Sequence, residues 1–328
     1  MLVWNSFQNE EMIPLSYWAN EKIAMELLRK KYELRYPEKV AQNFAFRNGS
    51  TLCSYIRQAN IMWQEANNQS NWSKPLTLYY AMMNLWKAWI LTIYPEYPEQ
   101  TSQLKHGIST KKKKKQSFSL LADEIRFQRD GLTSLILMAI NREELIGHVF
   151  TIEQLVSMLP VLQSSYLRVL PTPTLWKVTV SQDQILLPAH FPTELIPVLL
   201  EQTSSTDDAI LHNPKELIFP VQDLATSLYI EKSDPYLFAR KDRSLPVPVA
   251  LILYLLMFSF SMLCRYDPAL WQQVVSHEWM KESIWVEELF QLTQTRFPTL
   301  LQQYLQSDQL SSSSSSSGSC TLATVETS

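Results

Sequence analysis

A chain of 328 residues is long enough for one large core or two ordinary ones. Hydrophobic residues make up 46% and charged residues 19%, which fits a globular protein and excludes one that spans a membrane many times. The formal net charge of −3 gives no general drive toward nucleic acid or anionic lipid, so such binding would need a local basic patch.

Glu21–Leu34 carries a helical apolar stripe of Ile23, Ala24, Leu27, Leu28, Tyr32 and Leu34, with lysine and arginine toward its end, where the helix dipole favours them. From Ser50, a candidate cap, Leu52, Tyr55, Ile56, Ala59, Met62, Trp63 and Ala66 predict a second, amphipathic helix. Polar Asn67–Ser73 ends it. Pro75 then opens a third helix, nearly all apolar, that runs to about Tyr94 and is stopped by Pro95 and Pro98. A helix this apolar must be buried, and the second and third helices are expected to pair as an antiparallel hairpin.

Five lysines, Lys111–Lys115, follow soon after, in a segment read as a basic loop over 105–116. Phe118–Arg129 and Leu132–Ala139 predict helices separated by Gly131, and Thr151 opens a short helix over Glu153–Leu159. Between Leu167 and Lys232 the pattern changes to short alternating or β-branched runs, Leu175–Val180, Ile185–Leu187, Leu217–Val221 and Leu228–Glu231, with one helix, Thr193–Gln202, among them. Val247–Cys264 has the minimum length for a membrane span, but Pro248, Ser259 and Ser261 suit a buried helix, and no span is expected. Asp267-Pro268 is a cap followed by a first-turn proline, Trp279–Thr295 and Thr299–Leu305 predict two more helices, and the serine run from Ser311 predicts a disordered tail.

The expected fold is therefore mainly α: a helical bundle with two buried apolar helices and a small antiparallel β insertion in the second half. Its expected divisions are an N-terminal helical region 1–165, the insertion 166–245, C-terminal helices 246–310 and the tail 311–328. Cys53, Cys264 and Cys320 are too scattered for a disulfide framework or a zinc site, and the N-terminal sequence lacks a secretory pattern, so a cytoplasmic setting is expected.

Several words of the sequence carry a family likeness. Pro75-Leu76, Leu78-Tyr79-Tyr80, Asn84-Leu85-Trp86-Lys87-Ala88, Tyr94-Pro95-Glu96-Tyr97-Pro98, His106-Gly107 and Ser109-Thr110 with the lysine run, and later Gly131-Leu132, Ser261-Met262-Leu263, Arg265-Tyr266 and Pro268–Trp271, together resemble the YaaC-like family of Firmicutes. The resemblance implies a cytosolic bacterial protein without assigned catalytic chemistry or cofactor. It also implies a gene often placed beside that of IMP dehydrogenase, which makes that enzyme a candidate partner.

Four groups of residues are candidates for function. Tyr80, Asn84 and Lys87 share one face of the apolar third helix, where they could line a ligand pocket with the lysine meeting a phosphate or carboxylate; alternatively Lys87 pairs with Glu65 and Asn84 satisfies backbone. His106, Ser109, Thr110 and Lys111, Lys112, Lys113, Lys114 and Lys115 could attract a phosphate-bearing ligand, an acidic protein partner or RNA, or form a merely solvated loop. Arg265 and Trp271 lie at a helix junction where they could dock onto the Lys87 helix or a bound anion. Arg142 and His148 have the loose spacing of a HEPN-like metal-independent ribonuclease, which needs the pair at the start of a helix. His190, His212 and His277 have no metal-ligand spacing, and no metal site is expected. The leading expectation is a non-enzymatic binding or regulatory module, and the alternative is that ribonuclease.

Overall fold

The computed structural model describes residues 13–111, 119–201, 218–231, 234–276 and 283–307. The fold is mainly α. Its N-terminal half contains α1 (Leu15–Trp18), α2 (Glu21–Glu33), α3 (Glu38–Asn68) and α4 (Lys74–Ile93). Helix α4 is the hub: it packs on α2 and α3 and, from the C-terminal half, on α10 (Val249–Tyr266) and α12 (Ser283–Gln306). Its residues explain the position, because a helix apolar on nearly every side can be stable in water only with neighbours all round. Trp86 and Trp89 are fully buried on it, and the Trp89 indole N–H donates to the Tyr304 carbonyl of α12 at 2.9 Å.

The C-terminal end of α4 shows how orphan helix carbonyls are satisfied by neighbours. The Tyr32 hydroxyl donates to Leu91 O at 2.7 Å and Arg35 Nη1 to Ile93 O at 2.6 Å. From α3, Arg47 Nη2 and Asn48 Nδ2 both donate to Pro95 O, at 2.8 and 2.7 Å. Two guanidinium groups thus meet the negative end of the helix dipole.

Helix α3 begins at Glu38, twelve positions before the expected start at Ser50. Pro37 marks its true entry, and Gly49, which looks like a break, is buried inside it. A Cβ there would lie 2.3 Å from Met25 Cγ, so the glycine lets α3 approach α2 closely. Near the C-terminus, the expected break at Pro298 does not occur and α12 runs through it. The proline has no N–H for Gln294 O, and the Trp63 indole N–H of α3 donates to that carbonyl instead at 3.3 Å. Trp63 also stacks on Phe297, with ring centroids 6.0 Å apart.

The first half contains a sheet that the helical pattern hides. Strands β1 (Ile108–Lys111), β2 (Glu124–Phe127) and β3 (Val149–Thr151) pair antiparallel in that order. The expected helix over Phe118–Arg129 is therefore corrected to a 3-10 turn at Leu120–Ala122 followed by β2. Ile125 and Phe127 face the core while Arg126 is exposed, a period of two that becomes stable only with the distant partners β1 and β3. Between β2 and β3, α5 (Leu132–Ala139) follows Gly131, and directly after β3, α6 (Ile152–Val156) is opened by a capping box in which Thr151 Oγ1 accepts from Gln154 N at 3.1 Å.

After α7 (Gln163–Val169) come β4 (Leu175–Lys177), β5 (Thr179–Ser181), β6 (Gln184–Leu186), α8 (Ile196–Leu200), β7 (Ile218–Pro220), α9 (Val221–Leu224), β8 (Leu228–Glu231) and β9 (Asp234–Phe238). They form two small antiparallel sheets, β4-β9-β8 and β5-β6-β7, around a separate cluster that includes Trp176, Ile185, Phe191, Leu199, Phe219 and Leu237. This cluster falls within the stretch 166–245. Arg240 ties it to the helical body by reaching Glu153 Oε1 of α6 at 2.6 Å, and Asp242, two residues along the chain, holds the same guanidinium at 3.0 Å. Helix α11 (Pro268–Val275) follows α10 through Asp267, whose carboxylate accepts from Leu270 N at 3.2 Å. Helix α10 is long and apolar enough to cross a bilayer, but 72% of that window is buried inside the protein.

Candidate functional site

The words His106-Gly107 and Gly131-Leu132 form one structural unit. Gly107 and Gly131 have φ of +74° and +113°, and a Cβ on Gly131 would lie 2.5 Å from Gly107 N, so only glycine permits the two backbones to touch. The first amides of α5 then find acceptors in the segment that leads into β1: Leu132 N donates to Lys105 O at 2.8 Å and Thr133 N to His106 O at 3.2 Å. Thr133 Oγ1 donates to the same His106 carbonyl at 2.7 Å. The histidine carbonyl is thus held twice by Thr133.

Its ring meets α4 and α10. His106 Nδ1 lies 2.8 Å from the Tyr79 hydroxyl, and the Tyr254 hydroxyl lies 3.3 Å beyond it. Tyr79 and Tyr254 are fully buried and stack at 5.2 Å, while Phe258 packs 5.9 Å from the imidazole. Burial holds both phenols in their neutral form.

The charges acting on His106 are positive. Burial lowers its pKa first, and the nearby charges of Arg265 and Lys87 lower it further. Lys87 is half-buried and its own pKa is lowered by desolvation. Its ammonium lies 5.7 Å from the Tyr55 ring centroid, and no carboxylate pairs with it among the described residues. The expected pairing with Glu65 is absent there. Arg265 Nε donates to Ser261 O at 3.2 Å and its guanidinium lies 5.1 Å from the Tyr266 ring centroid, again without a carboxylate. The positive charges of Lys87 and Arg265 thus both act on His106, and neither cation is paired with a carboxylate among the described residues.

The other candidates separate. Asn84 is buried against α3, where its amide meets Met62 Sδ at 3.9 Å rather than backbone, and Tyr80 is half-buried beside Tyr79, 5.5 Å between ring centroids. Ser109 and Thr110 are adjacent in β1 and so face opposite sides of the sheet, and Ser109 Oγ accepts from Gln128 Nε2. Lys111 is exposed at the end of β1, opposite Glu124, so residues 108–111 are strand rather than loop. Lys112, Lys113, Lys114 and Lys115 lie outside the described residues, as do the tail 311–328, His212, His277 and Cys320. Trp271 is fully buried, with its indole N–H donating to Trp72 O at 2.9 Å, and serves packing rather than a ligand. His190 is exposed.

Arg142 and His148 do not form the expected pair at a helix start. Arg142 is buried and engaged by Glu144 and the Pro246 carbonyl, whereas His148 is exposed just before β3. Cys53 is buried and Cys264 half-buried, both as free thiols. Among the described residues no cluster of histidine, cysteine and carboxylate side chains could hold a metal ion.

The glycine-locked histidine and the apolar α4 lie within a match to the family described as YaaC-like protein, over residues 16–305. The chain belongs to the YaaC-like family. No curated protein matches it, and no solved structure matches it. The YaaC-like match includes both cations, the histidine and both buried phenols of the site. Sequence reading had singled out Lys87, His106 and Arg265 but missed Tyr79 and Tyr254. Tyr254 is the one hydroxyl-bearing aromatic in the apolar stretch 247–264, and that was the available signal.

Proposed function

We propose that this YaaC-like protein is a cytosolic, non-enzymatic binding or regulatory module that takes a phosphate-bearing ligand between Lys87, His106 and Arg265. The observation that carries the reading is the half-buried Lys87 without a carboxylate partner among the described residues. Removing a cation from water is costly unless an anion compensates it, so such an arrangement is suited to a ligand that supplies the charge. The lysines that continue from Lys111 add a positive field in the sequence beside β1 and can draw a phosphate-bearing ligand or an acidic protein partner toward it. IMP dehydrogenase remains the proposed partner in that role, with a link to purine nucleotide metabolism.

Calorimetric titration with a phosphate monoester tests the proposal. Binding to the wild type that is lost in Lys87→Met, with the thermal transition intact, supports it. Equal binding by both proteins places the ligand elsewhere and rejects it.

A further inference from the structure

An open cleft of about 590 Å³ lies at the C-terminal end of α4. Its lining includes Arg47, Asn48 and Thr51 from α3 and Glu96, Tyr97 and Glu99 from the segment after α4. The volume falls in the ~300–1,000 Å³ range of small-molecule sites.

Two of these side chains are buried polar groups whose hydrogen bonding the protein leaves incomplete. Asn48 is 6% exposed, and its Nδ2 uses both protons, one on the Tyr32 hydroxyl and one on Pro95 O. The Pro95 carbonyl can only accept, which fixes the orientation of the amide and leaves Oδ1 as the free atom. Oδ1 has no donor among the described residues and is not sealed inside the protein, so this buried amide presents an acceptor to the cleft. Tyr97 is also 6% exposed, and its hydroxyl has no hydrogen-bond partner among the described residues.

The exposed part of the lining carries both signs of charge. Arg47 donates from Nη2 to Pro95 O, while its Nε and Nη1 have no acceptor among the described residues. Glu96 and Glu99 form no ion pair there. A ligand of one sign would meet a like charge: an anion would meet the two glutamates, and a simple amine would meet Arg47. We propose that this cleft binds a free α-amino acid, in a site independent of the phosphate reading at Lys87. The ammonium supplies three donors for Glu96, Glu99 and Asn48 Oδ1, and the carboxylate accepts from Arg47 and the Thr51 hydroxyl.

Thermal unfolding of the full chain with each standard amino acid in turn tests this, because a ligand of the folded state raises the transition temperature. At least one amino acid is expected to raise it in the wild type and to lose that effect in the double variant Glu96→Gln/Glu99→Gln. Both carboxylates are exposed and unpaired among the described residues, so the double variant is expected to fold. For the amino acid with the largest shift, calorimetric titration then compares the amine that lacks its carboxylate and the acid that lacks its ammonium. Each is expected to bind at least about tenfold more weakly than the amino acid. No shift with any amino acid overturns the site, and a shift that persists in the double variant places the ligand elsewhere and overturns it as well. An amine or an acid that binds as tightly as the amino acid overturns the zwitterion as ligand.

Discussion

The C-terminal end of α4 and its face toward His106 treat neighbouring cations in opposite ways. At its C-terminal end, Arg35 and Arg47 donate to backbone carbonyls that would otherwise be orphaned, and Asn48 links Pro95 O to the Tyr32 hydroxyl at 2.7 and 3.1 Å. Along the face toward His106, Lys87 reaches only the Tyr55 ring, and Arg265 from α10 finds a carbonyl, a sulfur and a ring. The first arrangement completes a helix end and is explained by the fold. The second leaves positive charge uncompensated, so the fold alone does not explain it. A polar residue on an apolar helix is thus informative for function only after its acceptors have been identified.

Four substitutions break or sharpen this contrast. Gly131→Ala forces a Cβ into the Gly107 backbone at a positive φ, and an expected loss of about 3 kcal/mol in denaturant unfolding would confirm that the two glycines lock the histidine. Asn48→Ala removes two buried hydrogen bonds at the satisfied end, with an expected cost of about 2 kcal/mol and no effect on anion binding. Lys87→Met should do the reverse, gaining about 1 kcal/mol while losing the anion, because it replaces an uncompensated cation by an apolar chain of similar length. If Lys87→Met destabilises the protein, the lysine is structural.

The smallest effect is one of pH. His106 is surrounded by Tyr79 and Lys87 from α4 and by Tyr254 and Arg265 from α10, with the exposed Lys105–Asp130 pair beside it in the chain. Its pKa is lower in the folded protein than in the unfolded chain, so the unfolded chain takes up the proton first. Stability from this group is full above the unfolded value near ~6.5 and falls as the pH drops from there toward the folded value. His106→Gln should flatten the thermal stability profile in that window. An unchanged slope would mean that another group produces it.

Much of the helical body is legible from sequence because its signals are local. Pro75 and Pro95 bracket α4, Pro248 opens α10, and their apolar runs require burial. What could not be read depends on distant partners: β2 needs β1 and β3, and the passage of α12 through Pro298 needs Trp63 from the other half of the chain. The site divides in the same way. Lys87, His106 and Arg265 stand out by residue type, whereas Tyr79 looks like one more packing residue until His106 Nδ1 is placed against its hydroxyl.

The pKa of the His106 imidazole, followed by NMR with and without sulfate, tests the anion site most directly. Bound anion would offset the fields of Lys87 and Arg265, so the account predicts a value below ~6.5 in the free protein and a rise when sulfate is added. A value that does not move with sulfate would contradict it.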